Sequence, residues 1–132
     1  MISPYQQNKK YPEQLCHKTI SGNLVRSKSE ALIDMCLCNH NIPFRYECAL
    51  ELGEATYFPD FTILHPKTEK LYFWEHFGRM DDPNYCKAAF SKMQTYALHG
   101  IVPSVNFITT YETRENPLNA ETVENWIAHC FL

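Results

Sequence analysis

Two runs decide the fold: Thr56-Tyr57-Phe58-Pro59-Asp60-Phe61-Thr62-Ile63-Leu64, and Leu71-Tyr72-Phe73-Trp74-Glu75-His76-Phe77-Gly78. Both are dense in the β-branched and aromatic side chains that suit a pleated, half-buried surface, so both read as strands. The intervening His65-Pro66-Lys67-Thr68-Glu69-Lys70 reads as a turn. An antiparallel hairpin with Leu64 opposite Leu71 sets Asp60 opposite Glu75, with Cβ atoms roughly 5 Å apart on one face. Like charges so placed repel, and burial raises the penalty. A divalent cation is the simplest compensation, because Mg²⁺ accepts one or two carboxylates and keeps several waters. A register shifted by one residue would instead turn one acid to solvent and leave no pair.

Working outward, residues 44–52 alternate large apolar with mostly charged side chains and predict a third, half-buried strand, returned into the Asp60 run by Gly53-Glu54. Further upstream, Ser27-Lys28-Ser29-Glu30 matches a capping box. Ser27 is then the N-cap of a helix, with Glu30 reaching back to the Ser27 amide. Downstream, Asp81-Asp82-Pro83 opens a helix over residues 83–99 that Gly100 closes. Residues 101–110 predict a further strand, and Asn119 caps a final helix. The order is helix, three strands, helix, strand, helix: an α/β fold, with one domain over residues 27–132 behind an irregular basic lead-in over residues 1–26.

A chain of 132 residues with a 45% apolar share has room for one core and no second domain. No apolar stretch is long enough to span a bilayer and the polar start has no signal region, which points to the cytoplasm and no membrane partner. In that setting the six cysteines are expected as free thiols. Cys36, Cys38 and His40, with Cys16 and His17 upstream, lack the spacing of a structural zinc site. The net charge of −3 is not that of a nonspecific nucleic-acid coat. However, Lys9, Lys10, Lys18, Arg26 and Lys28 make the first 28 residues basic while the remainder is acidic. One face could therefore approach phosphate, the alternative being a mixed, solvated surface.

This element order, with Glu30 in the first helix, Pro59-Asp60 in the second strand and Glu75 in the third, resembles the PD-(D/E)XK nuclease superfamily over about residues 27–110. The resemblance implies a restriction-endonuclease-like core of a helix, three antiparallel strands, a helix and a strand, here followed by a C-terminal helix. It further implies that Glu30, Asp60 and Glu75 hold Mg²⁺, with Mn²⁺ as a substitute, for hydrolysis of DNA phosphodiester bonds. One position departs from the pattern. The superfamily carries Lys two residues beyond the third acid, and here that residue is Phe77. Some members supply the group from the following helix, where Lys92 and Tyr96 resemble a Gln-x-x-x-Tyr motif with Lys92 in the Gln position. On that helix Lys92 and Tyr96 share a side with Tyr85 and Ala88, while Cys86, Ala89, Phe90 and Met93 mark the core stripe.

The expected catalytic set is thus Glu30, Asp60, Glu75 and Lys92, with Arg26, Lys28 and Tyr96 contacting DNA. Plainer roles stand beside these: Glu30 as a capping residue only, Lys92 as a solvated lysine, Tyr96 as packing, and His76, on the opposite sheet face from Glu75, as a hydrogen-bonded core histidine. Besides a Mg²⁺-dependent endonuclease, two functions fit: a catalytically silent nucleic-acid-binding module, and a protein-interaction domain with a structural cation. The short chain suggests a homodimer or a part of a larger parent protein, since sequence-specific cleavage needs more recognition surface.

Overall fold

The computed structural model describes residues 4–132, so residues 1–3 of the lead-in lie outside the described residues. The rest of the lead-in, expected to be irregular, contains a 3₁₀ turn (Pro12–Gln14) and a short antiparallel hairpin of β1 (His17–Lys18) and β2 (Leu24–Val25). Next come α1 (Lys28–Asn39), β3 (Phe44–Tyr46), β4 (Leu50–Leu52), β5 (Ala55–Tyr57), β6 (Phe61–Leu64) and β7 (Leu71–Phe77). They are followed by α2 (Pro83–Leu98), β8 (Phe107–Tyr111) and α3 (Ala120–Phe131). The chain is a mixed α/β protein. Its main sheet has the order β3-β6-β7-β8, antiparallel except for the parallel pair β7 and β8.

The decisive register is the one the turn chemistry implies: Leu64 faces Leu71 and Phe61 faces Trp74. Glu69, at φ 61°, closes the turn, and the His65 ring accepts from the Lys67 and Thr68 amides at 3.1 and 3.2 Å. Continued by one residue, that register sets Asp60 beside Glu75.

The strands themselves are shorter than their sequences suggest. Residues 44–52 do not form one strand. Glu47 takes a left-handed conformation, φ 49°, its amide donates to the Asp60 carbonyl at 2.9 Å, and the chain leaves the sheet. Residues 56–64 break likewise, at Phe58-Pro59-Asp60, where Pro59 has no amide to offer a ladder. The fragments released by these breaks, β4 and β5, pair with each other around Gly53 (φ 65°). The strand expected over residues 101–110 is confined to Phe107–Tyr111, because residues 103–106 turn through Ser104 at φ 67°.

Helix starts follow their caps. Ser27 accepts from the Glu30 amide at 3.1 Å, Asp82 from the Asn84 amide at 2.9 Å, and Asn119 from the Thr122 amide at 2.9 Å. The capping box is modified: the Glu30 carboxylate reaches the Arg26 amide, 3.0 Å, rather than that of Ser27.

Two cores flank the sheet. On one face α1 and α3 bury Ile33, Leu37, Val123, Ile127 and Phe131 against Tyr46, Phe61, Ile63, Trp74 and Ile108. The other face is smaller, with Leu52, Phe73, Tyr96, Ile101 and Phe107 beneath α2. On α2 the expected core stripe holds at Cys86, Ala89 and Met93 and fails at Phe90. Ala89 and Tyr96 are buried, with Tyr85, Lys92 and Met93 partly so, whereas Phe90 is 59% exposed. Its inward face therefore carries the chemistry-bearing side chains beside the apolar stripe. Among the described residues, no helix is long and apolar enough to cross a membrane.

Candidate functional site

A cavity of about 200 Å³ opens between α2 and the sheet, lined by Glu30, Asp60, Glu75, His76, Phe77, Tyr85, Ala88, Ala89 and Lys92. All four residues of the expected catalytic set lie on its wall. Each arrives on a different element. Glu30 comes from the first turn of α1, Asp60 from the break before β6, Glu75 from β7 and Lys92 from α2.

Asp60 is held by its neighbour strand: the His76 amide donates to Oδ2 at 2.7 Å. Its carboxyl is pushed well above the ordinary range, first by burial and then by the charges of Glu75 and Glu30, against which the His76 amide and Lys92 pull down. Glu75 is 3% exposed and bound on both oxygens, by the Tyr96 hydroxyl at 2.9 Å and the Lys92 ammonium at 3.5 Å. Burial still raises it. Glu30 accepts at Oε1 from the Arg26 amide and from the Tyr46 hydroxyl, 2.8 Å, and burial raises it too. At Lys92 burial works against the charge, but Glu75 and Asp60 outweigh it and hold the ammonium above its usual value. Two carboxylates, Asp60 and Glu75, thus share one ammonium, and Glu30 stands beside them on amide and hydroxyl donors.

The donor set suits a hard divalent ion that keeps most of its waters, since the oxygens come from carboxylates and the excess charge is negative. A closed cage is not what the site offers: among the described residues no three His, Cys, Asp or Glu side chains converge tightly enough to hold an ion by themselves.

The DNA-contacting set divides. Lys28 is exposed at the start of α1, in a second cavity of about 370 Å³ that shares Glu30, His76 and Tyr85 with the first. Arg26 is occupied elsewhere: Nε binds Glu47 at 2.7 Å, and its other nitrogens donate to the Tyr11 and Lys10 carbonyls at 2.8 and 2.7 Å. It clamps the lead-in rather than presenting itself to a ligand. Tyr96 is fully buried, so its expected contact with DNA is replaced by the bond to Glu75. Phe77 stacks on Tyr111 at 5.6 Å, an apolar side chain where the sequence pattern wants an ammonium.

One feature has no forewarning in the sequence pattern, and a second has it only in part. Glu47, which strand alternation marks as solvent-facing, is 4% exposed and leaves Oε1 buried without a partner among the described residues. Its charge adds to the raising of Glu30 and Glu75. The second is a hydrogen-bonded chain through His76. The Trp74 indole donates to Thr110 Oγ1 at 3.1 Å, Thr110 pairs with His76 Nδ1 at 2.8 Å, and His76 Nε2 pairs with Glu112 at 2.6 Å. Glu112 also accepts from the Ser29 hydroxyl on α1. This is the hydrogen-bonded core histidine that its sheet face predicts, and burial lowers its pKa against the pull of Glu112. The neutral ring accepting from Thr110 and donating to Glu112 satisfies every group in the chain. One residue thereby fixes Asp60 through its amide and the first turn of α1 through its ring.

No protein-family model matches the chain, and no match was found among curated proteins or solved structures.

Proposed function

We propose that this chain is a divalent-metal-dependent DNA endonuclease-like domain of the PD-(D/E)XK kind, hydrolysing phosphodiester bonds at the Asp60–Glu75 cavity. The observation that carries this reading is the arrival of Glu30, Asp60, Glu75 and Lys92 on one small cavity wall from four separate elements. The succession of α1, the antiparallel β3, β6 and β7, then α2 and β8 supports it as well. So does the raised pKa of all three acids, chiefly through burial, since perturbed carboxylates in one cleft mark a candidate functional site.

Asp60 and Glu75 would hold Mg²⁺, with Glu30 beside them. Bound there, the ion supplies Lewis-acid polarisation of the phosphodiester and a more acidic water. The chain's own groups do the rest. Lys92 offsets the charge that builds on the phosphate oxygens, in place of the lysine that Phe77 displaces. Tyr96 and the His76 amide hold Glu75 and Asp60 in fixed orientations, so that reorganisation during the reaction is small.

Incubation with supercoiled, linear, branched and single-stranded DNA, with Mg²⁺ or Mn²⁺ and beside Asp60→Ala, tests the reading. Cleavage by wild type, with Asp60→Ala reduced to background, is expected. Equal cleavage by both proteins removes Asp60 from the site. The second reading, a silent nucleic-acid-binding module, is favoured by Phe77 and predicts metal-independent DNA binding with no cleavage. Loss of binding as well would leave an interaction domain.

A further inference from the structure

Tyr85 stands where the acid cavity meets the second cavity, and it lines both. Its hydroxyl oxygen accepts from the Gly78 amide at 3.1 Å. A phenol that accepts one hydrogen bond still has its own O–H to give, and no acceptor for that proton lies within hydrogen-bond distance among the described residues. Burial raises its pKa, and the charges of Asp60, Lys92 and Glu75 act on it, so the hydroxyl is protonated and close to the acid cluster.

The second cavity differs from the first in charge. Lys28 and Arg79 lie on its wall with Ser27, Ser29 and Gly78, and Arg79 sets its guanidinium 5.9 Å from the Tyr85 ring centroid. Its acids are accounted for: Glu112 is engaged by Ser29 and His76, and Glu30 by Arg26 and Tyr46. Arg79 is 70% exposed and bound to Asp82 at 3.2 Å through one nitrogen, which leaves most of its donors available. An acid-lined cavity and a cavity that adds Lys28 and Arg79 to its two engaged acids thus share a wall that includes the free Tyr85 hydroxyl. That is the layout a strand with repeating phosphates requires.

We propose that Tyr85 is a substrate-binding residue, donating its hydroxyl proton to a phosphate oxygen of a DNA strand that passes from the acid cavity into a neighbouring phosphate subsite formed by Lys28 and Arg79. The inference rests on the reading of the acid cavity as a nucleic-acid site. It adds the direction in which the strand leaves.

Binding of a fluorescently labelled duplex DNA is measured in Ca²⁺, and cleavage separately in Mg²⁺, for wild type, Tyr85→Phe, Lys28→Ala, Arg79→Ala and the control Tyr72→Phe, whose ring packs on Phe131 away from both cavities. Tyr85→Phe keeps the ring and removes only the hydroxyl. It is expected to weaken binding about tenfold, the value of a hydrogen bond to a charged group, with a melting temperature near that of Tyr72→Phe. Lys28→Ala and Arg79→Ala should each make the dependence of log K on log salt shallower by about one. Tyr85→Phe binding as tightly as the control, or salt slopes unmoved in both alanine variants, overturns the subsite. If wild type cleaves while Tyr85→Phe binds and cleaves equally well, this inference fails and the nuclease reading stands. Wild type that binds without cleaving, with binding weakened in Tyr85→Phe, has the opposite meaning. No DNA binding by wild type overturns both.

Discussion

The two faces of the central sheet are built on opposite principles. The face under α1 and α3 carries Trp74, Phe61, Ile63 and Ile108, and its indole is paired: Trp74 meets Thr110. The face under α2 carries Glu75 beside Phe73, with Lys92 and Tyr96 above it and Asp60 at the strand entrance. Strand β7 faces both ways at once. Its even positions Trp74 and His76 stabilise, while its odd position Glu75 is held at a cost. A protein stores an unfavourable charge cluster safely only where a well-packed layer behind it supplies the stability.

The largest effect should come from breaking the dry face. Trp74→Ala removes a fully buried indole and leaves Thr110 without its donor, and we expect a loss of about 3–5 kcal/mol in denaturant unfolding. On the charged face the sign reverses. Asp60→Asn should abolish metal-dependent turnover yet leave the metal-free protein as stable as wild type, or more so, near neutral pH. An equal destabilisation by Trp74→Ala and Asp60→Asn would erase the distinction between the faces.

The pH dependence follows from the same cluster. The folded-state values of Asp60, Glu75 and Glu30 all lie above their ordinary ones. A raised acid binds protons more readily in the folded state, so its contribution is full below the unfolded value, about 4, and is lost as pH rises through the folded value. Without divalent ions these three acids should therefore contribute a loss of stability from about pH 4 toward neutrality, opposed by the lowered Glu112 and His76, and Asp60→Asn should remove part of that loss. Mg²⁺ at neutral pH should restore stability, by about 2.7 kcal/mol at a hundredfold excess over its Kd. Thermal melts of wild type and Asp60→Asn across pH, with and without Mg²⁺, measure both, and a stability difference between the two proteins that does not change with pH would contradict the cluster.

Smaller effects separate positioning from chemistry. Lys92→Ala should lower turnover strongly while changing duplex affinity little, and unchanged turnover would remove Lys92 from the mechanism. Ser29→Ala should cost about 1 kcal/mol, since Glu112 keeps its bond to His76. Phe90→Ser, on the exposed side of α2, should stay within about 0.5 kcal/mol of wild type and tests whether that helix turns its chemistry inward.

Much of this was legible in the chain because it is local. Ser27, Asp82 and Asn119 cap helices through amides two or three residues away, and the His65–Lys70 turn sets the β6–β7 register, so propensity and spacing are enough. The strand break at Glu47 was not legible, because it depends on partners distant in sequence: the Glu47 amide meets the Asp60 carbonyl, and the Ala49 amide meets that of Gln6. The break at Pro59 has a local cause, the missing amide, which the apolar run around it masked. Arg26 shows the same limit. Its charge suggested phosphate, and the fold gave it Glu47 and two carbonyls of the lead-in instead.

By itself the sequence determined that two acids would lie side by side on adjacent strands, since a turn fixes register and register fixes faces. It also determined which residues could begin helices. Only the tertiary structure decided that Glu30 and Lys92 join those acids, that Tyr96 is spent inside on Glu75, and that His76 braces Asp60 and α1 together. The physical reason is range: register and capping are governed by residues a few positions apart, whereas a cavity wall is assembled from four elements whose meeting depends on how both faces of the sheet are packed.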